Sequence, residues 1–454
     1  MSDRAAPEPR AAAAAGSGEA RRPAPADVER MAAAAAAAVD AGEVLRRTAA
    51  LVRIRSVWDP DGGSNEADAA AYVATELRSL GLGVTVDEVA PGRPNVIADW
   101  AGGGFDPARN RTLMLEGHTD VVTEGDAARW TRDPYGAALE SDPAGGTRRY
   151  GRGSADMKAG VAAAIEAVAA LQRAAPDLPG RVRLGIVVDE EGMMLGIKRF
   201  VAGGWADEVD GAIVCEPEEL ELCLHQKGAM RLHVHVRGVM AHGAMPYAGV
   251  NPIAGLQRLL AAVEGLQAEE QARLGAHPFL GLPWLTPTIV RAPVAGEAQL
   301  NVMPDTAYAA LDVRTVPGQE HDALFARLRA EADRVEAAMP RLAIALDWFE
   351  SRPWTETDPS DPLVRALEAA CPGALDGPPR YGGVPGATDG TFLHASGVPI
   401  VTVGPGDRTI PHQVDEFVRV EEVVRAARLY AEAAVRYLMA TPPVDGPRAG
   451  RRRT

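Results

Sequence analysis

Short apolar runs alternate with helix-like patterns along most of this chain, and this order limits its possible folds more than any other feature. The main apolar runs cover residues 95–100, 112–115, 182–188, 211–215 and 399–403, and helical patterns cover 160–173 and 420–439. Strands that are separated by helices favour a largely parallel sheet with helices on its faces. The sequence therefore predicts an α/β fold with a mixed, mostly parallel sheet flanked by helices.

The pattern changes at Gly228. Arg231, His233, His235 and Arg237 alternate with apolar residues, which is typical of a strand with one wet face. The segments that follow, up to residue 349, have the order α, β, β, α, β. Together they predict a ferredoxin-like α/β unit of about 124 residues that is inserted into the first domain.

Both ends of the chain differ from the rest in composition. Residues 1–25 mix Ala, Pro, Gly and Arg without periodicity, which predicts a disordered leader, and an Ala-rich helix is expected between residues 26 and 52. Prolines and an arginine run at the other end predict a disordered tail. The predicted divisions are a leader 1–25, a first domain 26–226 and 351–440, an inserted domain 227–350 and a tail 441–454.

Charge and cysteine content exclude several classes of function. The formal net charge of −15 disfavours nucleic acid as a partner. The three cysteines form no CxxC pair, which favours a reducing cytoplasm over a disulfide framework or a thiolate zinc site. No apolar run approaches the roughly 20 residues that a membrane helix needs. A cytoplasmic protein without nucleic-acid or membrane partners is expected.

Histidines and acids recur where predicted strands end. His118-x-Asp120 follows one strand, the triplet Asp189-Glu190-Glu191 follows another, and Glu216 and His412 follow two more. Open α/β sheets bind ligands at this edge. A lone HxD pair also fits a hydrogen-bonded loop histidine, and an acidic triplet also fits a solvated loop. Their shared location favours a metal site.

A glycine-rich turn at residues 150–158 adds Asp156 to this set. Such turns also bind phosphate, but the phosphate-loop patterns are missing and Asp156 would oppose an anion there. Two imidazoles and three carboxylates suit Zn²⁺ or its close relatives. Two metals bridged by one carboxylate would use all five ligands, and a further acid would be free to act as general base.

Several motifs in register resemble the M20 metallopeptidase family, in particular its branch of acetylornithine deacetylases and succinyl-diaminopimelate desuccinylases. The resemblance spans about residues 40 to 440. It rests on His118-x-Asp120, Gly151-Arg152-Gly153-x-x-Asp156-Met157-Lys158, Asp189-Glu190-Glu191, Glu216-Pro217, Gly238 with His242-Gly243, and Pro411-His412 with Glu416. It implies a zinc-peptidase-like catalytic domain with two zinc ions, for which Co²⁺ is a possible substitute, and an inserted lid that also forms a homodimer.

The resemblance also implies a role for each site residue. His118 and Glu216 would hold one metal, Glu191 and His412 the other, and Asp156 would bridge them. Glu190 would be the general base, and Asp120 would orient His118. His242 would reach the active site of the opposite subunit and stabilise the oxyanion. Arg314 would bind the substrate carboxylate, and Asn301 would also bind the substrate.

The expected activity is hydrolysis of the amide bond of an N-acyl amino acid by a water that bridges the metals. A carboxypeptidase-type dipeptidase is the alternative within the family, and a non-catalytic dimeric binding protein is the alternative outside it. The loop at residues 406–409 lacks the asparagine associated with desuccinylases, which disfavours succinyl-diaminopimelate as substrate. The six histidines without a motif are expected to be structural: His225, His233, His235, His277, His321 and His394.

Overall fold

The computed structural model describes residues 24–61 and 63–440, so the predicted tail and residues 1–23 of the predicted leader lie outside it. The helices are α1 Pro25–Ala37, α2 Ala41–Val52, α3 Ala67–Ser79, α4 Ala159–Ala174, α5 Leu195–Ala202, α6 Pro252–Leu274, α7 His321–Ala338, α8 Pro362–Ala374, α9 Gly390–Ala395 and α10 Val420–Met439.

The strands are β1 Gly83–Ala90, β2 Arg93–Ala101, β3 Thr112–His118, β4 Leu139–Ser141, β5 Thr147–Tyr150, β6 Arg181–Val187, β7 Gly211–Val214, β8 Leu222–Gln226, β9 Gly228–Arg237, β10 Ala241–His242, β11 Trp284–Arg291, β12 Val302–Met303, β13 Thr306–Thr315, β14 Ala343–Arg352, β15 Thr355–Glu356, β16 Tyr381–Val384, β17 Ile400–Thr402 and β18 Phe417–Arg419.

A nine-stranded mixed sheet forms the centre of the molecule, in the order β1-β2-β6-β3-β7-β17-β8-β15, with β16 also paired to β8. The four strands β6, β3, β7 and β17 are parallel, whereas β1, β2 and β15 pair antiparallel with their neighbours. The predicted mixed α/β sheet is confirmed. Its parallel pairing is concentrated in the middle, because short turns rather than helices join strands such as β1 and β2.

Helices cover both faces of this sheet. The larger core includes side chains from α1 to α4, α8 and α10, and a second core packs α5 and α9 on the sheet. The predicted helix between residues 26 and 52 is two helices, because Asp40 interrupts it. Its carboxylate accepts hydrogen bonds from Gly42 N at 2.8 Å and Glu43 N at 3.2 Å, and so caps α2. None of the helices in the described ranges is long and apolar enough to cross a membrane.

Residues 228–352 contain a second sheet, which we call the four-stranded unit. Its strands lie antiparallel in the order β11-β13-β9-β14. The side chains of α6 and α7 pack with one face of this sheet in a core of their own. The βαββαβ order and the ferredoxin-like strand arrangement agree with the pattern read from the sequence.

The parallel strands β3, β6, β7 and β17 direct their carboxyl ends to the same edge of the central sheet. Each is followed by a loop that carries a histidine or an acid singled out above. In an open α/β sheet this edge is where ligands bind.

Candidate metal centre

His118 is the last residue of β3, and its side chain is fully buried. Its Nδ1 lies 3.0 Å from the main-chain oxygen of Asp120 and 3.4 Å from the Asp120 carboxylate. Both oxygens can accept a proton from Nδ1, which leaves Nε2 free to act as a ligand. The expected contact between Asp120 and His118 is therefore present, although the nearer acceptor is the main chain.

Asp156 follows the glycine-rich turn before α4. Gly153 has φ +77°, and a Cβ there would lie 2.5 Å from Val121 Cγ1, so the turn requires glycine. The Glu416 carboxylate accepts hydrogen bonds from Ala155 N at 3.0 Å and Asp156 N at 3.2 Å. The turn and Glu416 together fix the backbone that carries Asp156.

Close approach of α4 to Cys215, the residue after β7, brings Asp156 towards Glu216. A Cβ at Gly160 would lie 2.1 Å from the main-chain oxygen of Cys215, so only glycine permits this approach. Glu216 follows directly, and its Oε1 lies 3.5 Å from His118 Nε2. Gly160 thus serves the geometry of the site.

The acidic triplet after β6 divides into two parts. Asp189 turns away from the other acids, pairs with Arg93 at 2.6 Å and accepts a hydrogen bond from Met193 N at 3.0 Å. Glu190 and Glu191 face the site, and the main-chain N of Glu191 donates to Asp120 Oδ2 at 3.0 Å. Asp189 is therefore an anchor for the loop.

Two groups of side chains have atoms close enough to hold a metal ion at this edge. The buried triad is His118, Glu190 and Glu216, and the open triad is Asp156, Glu191 and His412. Asp156 lies between them, with Oδ1 3.2 Å from His118 Nε2 and Oδ2 3.4 Å from His412 Nε2. Glu191 Oε1 lies 2.9 Å from His412 Nε2. The five predicted ligands and Glu190 thus lie together.

Crowding shifts the pKa values of these groups in the absence of metal. Burial, helped by the charge of Asp156, raises the pKa of Glu216 to about 8. Burial and the charge of Glu216 raise the pKa of Glu190 well above its usual value. Hydrogen bonds with Asp156 and Glu191 raise the pKa of His412 to about 10. Without metal, protons therefore bind to these groups. The oxygen and imidazole donors and the excess negative charge of the site suit divalent cations.

The four-stranded unit contributes Arg314 to the same cleft, which has a volume of about 340 Å³. His242 and Asn301 are elsewhere on this unit, in neighbouring exposed segments. Gly243 N donates to Asn301 O at 2.7 Å, and β10 with His242 pairs with β12. Neither residue lines the cleft of its own chain.

Two buried acids near His118 were not anticipated from the sequence. Burial and the charge of Asp389 raise the pKa of Glu116 well above its usual value, and burial also raises the pKa of Asp389. Within the described residues, Glu116 Oε1 and both carboxylate oxygens of Asp389 accept no hydrogen bond. The signal for Glu116 was an acid inside the apolar strand, two positions before His118.

A third cluster joins His225, His277 and Glu356. His277 Nδ1 accepts hydrogen bonds from Phe279 N and Leu280 N, each at 3.2 Å. A neutral His277 therefore carries its proton on Nε2, the nitrogen that a metal would need. This cluster fits a packing contact between β8, β15 and the turn at residues 277–281 better than a cation site.

Comparison with known proteins agrees with this geometry. The protein family described as "Peptidase family M20/M25/M40" matches residues 114–436 of this chain. The chain belongs to this family. The succinyl-diaminopimelate desuccinylase of Phenylobacterium zucineum (strain HLK1) is 31% identical over 410 residues, which cover 88% of this chain and 99% of that protein.

Solved structures of M20 peptidases share the fold. Aminopeptidase PepT from Bacillus cereus has a TM-score of 0.70 at 18% identity and covers 88% of this chain and 99% of its own. Bacillus subtilis YXEP, described as a dinuclear metal-binding peptidase of family M20, has a TM-score of 0.63 at 17% identity, with 88% and 98% covered. The M20 chain is thus a metal-dependent hydrolase of amide bonds.

Proposed function

We propose that this chain removes the acyl group from an N-acyl amino acid, and that N-succinyl is the acyl group with most support. The observation that carries the proposal is the position of Asp156 between His118 and His412, with Glu190 beside them. The names of the curated relatives favour a succinyl group. The proposal does not name the amino acid part of the substrate, because the loop at residues 406–409 lacks the asparagine associated with desuccinylases.

Two divalent cations fit the donor set. His118 and Glu216 would hold one, Glu191 and His412 the other, and Asp156 would bridge them. Zn²⁺ is the proposed metal, with Co²⁺ as a substitute, because imidazole and carboxylate donors suit both. Such cations would polarise the scissile carbonyl and lower the pKa of a water bound at the site.

The chain's own residues carry the proton. Glu190 would accept it from the attacking water and deliver it to the leaving nitrogen. Asp120 would keep the His118 proton on Nδ1, so that Nε2 faces the metal. His242 would donate a hydrogen bond to the oxyanion.

A substrate screen tests this function. The purified protein, with added Zn²⁺ or Co²⁺, is given N-succinyl amino acids, N-acetyl amino acids and unmodified dipeptides, and release of free amine is measured. We expect the highest kcat/KM on N-succinyl substrates. Turnover of dipeptides alone would identify a dipeptidase. A metal-loaded protein without any turnover would point to the binding protein considered above.

We also propose a homodimer in which the four-stranded unit, residues 228–352, is both lid and interface, as expected for the predicted inserted domain 227–350. β11 is an edge strand that exposes Trp284, Ile289 and Val290, and an exposed apolar edge favours strand pairing with another copy. His242 and Asn301 are exposed away from their own cleft, which supports a role for both in the partner's site.

Subunit mixing tests the role of His242 in the partner's site. His242→Ala and Glu190→Gln proteins are each expected to have little activity. In a mixed dimer, one site would combine Glu190 from the first chain with His242 from the second, so mixing should restore activity. Sedimentation equilibrium checks the dimer. No recovery in proven mixed dimers would exclude action across the interface.

A cytoplasmic location is proposed from the thiols. Cys215, Cys223 and Cys371 are buried and free. Free thiols are the usual state in a reducing compartment. Cell fractionation of the native host would check this.

A further inference from the structure

The cleft has two walls of opposite charge. Asp156, Glu190, Glu191 and Glu216 line one wall, at the edge of the central sheet. The four-stranded unit supplies Arg231, Arg314 and Arg352 to the same cleft. A substrate bound at the metal centre therefore shares the cleft with three guanidinium groups.

Arg231 is on β9, the strand between the two that carry Arg314 and Arg352. The strand register sets it directly opposite Asp312 on β13 and opposite Glu350 on β14. Both acids already have other partners. Asp312 accepts a hydrogen bond from Arg314 at 3.1 Å, and Glu350 accepts one from Lys198 at 3.0 Å.

The other cleft arginines are engaged as well. Arg352 donates to Gly192 O at 2.6 Å, and Arg408 pairs with Glu221 at 2.5 Å. Among residues 24–61 and 63–440, by contrast, the Arg231 guanidinium group has no hydrogen-bond or ion-pair partner. Burial, with a smaller contribution from Arg352, lowers the pKa of Arg231. A half-buried guanidinium group without a partner favours the binding of an anion in the cleft.

We propose that Arg231 binds a carboxylate of the substrate, at a point in the cleft away from the scissile amide. This inference rests on the proposed function, since an N-acyl amino acid carries a carboxylate on its amino acid half and an N-succinyl one carries a second on its acyl half. A guanidinium group binds a carboxylate through two parallel hydrogen bonds. The family resemblance gives this task to Arg314, but Arg314 is already bound to Asp312, whereas Arg231 is free to take it.

Three matched substrates identify the carboxylate. They are the N-succinyl and N-acetyl derivatives of one amino acid, and the N-succinyl derivative of the amine that lacks the α-carboxylate. Zinc-loaded Arg231→Met is compared with Arg237→Met, a control on the same strand with an exposed side chain outside this cleft. Loss of one charged hydrogen-bonded pair predicts a decrease in kcat/KM of about ten- to one-hundredfold, mainly through KM.

The pattern of losses decides the outcome. A loss confined to the two succinyl substrates assigns the acyl carboxylate, and a loss confined to the two amino acid substrates assigns the α-carboxylate. Equal losses on all three substrates, or none, would overturn the proposal. Arg231→Lys keeps the charge without the paired geometry and should be intermediate. Thermal melting of all variants checks their folding.

A binding measurement separates this proposal from the proposed function. Calorimetry measures the Kd of zinc-loaded wild type, Arg231→Met and Arg237→Met for succinate and for the free amino acid. At least tenfold weaker binding of either probe by Arg231→Met alone supports the carboxylate site, even if wild type hydrolyses none of the substrates. Unchanged Kd values for both probes would overturn it, even if the hydrolase activity is established.

Discussion

The two triads of the metal centre are built in different ways. The buried triad depends on β3 and on the residues that follow β6 and β7, and His118 has no exposed surface. The open triad depends on loops: Asp156 lies in a turn, and His412 has φ +66° with 53% of its side chain exposed. One triad belongs to the sheet, and the other is assembled by loops that the sheet supports.

This difference in burial affects how much each triad contributes to the free energy of unfolding. Ionisable groups inside the sheet have little solvent and depend on one another or on a cation. A half-exposed histidine is solvated with or without its partners, and it therefore contributes less to stability. The triads are expected to share a function while responding differently to substitution, and the following predictions measure how far they do.

Glu190→Gln should have the largest effect on activity. As general base, Glu190 is expected to contribute about 10²- to 10⁴-fold to kcat. Metal content should remain at the wild-type level, measured by atomic absorption. Glu219→Gln, the same change at a half-buried acid near the cleft, is the control. Loss of metal along with activity would make Glu190 a ligand of the buried triad instead.

His118→Ala and His412→Ala compare the triads directly. In metal-free protein, burial opposes protonation of His118, but the charges of Asp120 and Glu216 outweigh it and raise its pKa. Removing this buried cation leaves acids without compensation, and should lower the free energy of unfolding by about 3 kcal/mol. His412→Ala should cost less than His118→Ala, because the His412 side chain is 53% exposed and solvent screens its interactions. Urea unfolding in EDTA measures both, and equal losses would remove the distinction between the triads.

The two triads also differ in how much of them the sequence predicts. His118 and Glu216 follow apolar strands, and the ends of parallel strands meet at one edge, so their proximity follows from the strand order. Glu190 and Glu191 follow β6, so the same argument places them at this edge. His412 is ten residues beyond the end of β17, so the strand order predicted its edge of the sheet but not its contact with Asp156.

Other features depend on tertiary contacts that no local pattern encodes. That Asp189 would pair with Arg93, 96 residues away, could not be read from the acidic triplet. Asp40 divides the first helix through a cap that the Ala-rich pattern obscured. The isolation of Arg231 depends on the partners of acids on two other strands. Strand ends could be predicted, whereas the choice of partner among several charges could not.

Glu416→Gln tests how the open triad is positioned. Glu416 is buried, pairs with Arg152 and accepts hydrogen bonds from Ala155 N and Asp156 N. Loosening the Asp156 turn should reduce metal affinity or kcat about 10- to 100-fold, as is typical for groups that orient ligands. Glu421→Gln, at an exposed acid that accepts from Thr147 N, is the control. An unchanged Zn²⁺ affinity and kcat would show that the turn holds Asp156 without Glu416.

The pH dependence of stability in metal-free protein should have the same sign for both triads but cover a different pH range in each. The pKa of Glu216 is raised from about 4.3 in an unfolded chain to about 8, so metal-free folded protein binds the extra proton between these values. Its stability should fall as pH rises through this range, and Glu216→Gln should reduce the slope. The pKa of His412 is raised from about 6.5 to about 10, so His412→Ala should reduce the slope only above about pH 6.5. Added Zn²⁺ should oppose both trends, because its affinity rises as these groups lose protons. Urea unfolding at pH 5, 6.5, 8 and 9, with EDTA or Zn²⁺, measures these slopes. A free energy of unfolding in EDTA that rises from pH 5 to 8 would contradict the raised pKa of Glu216.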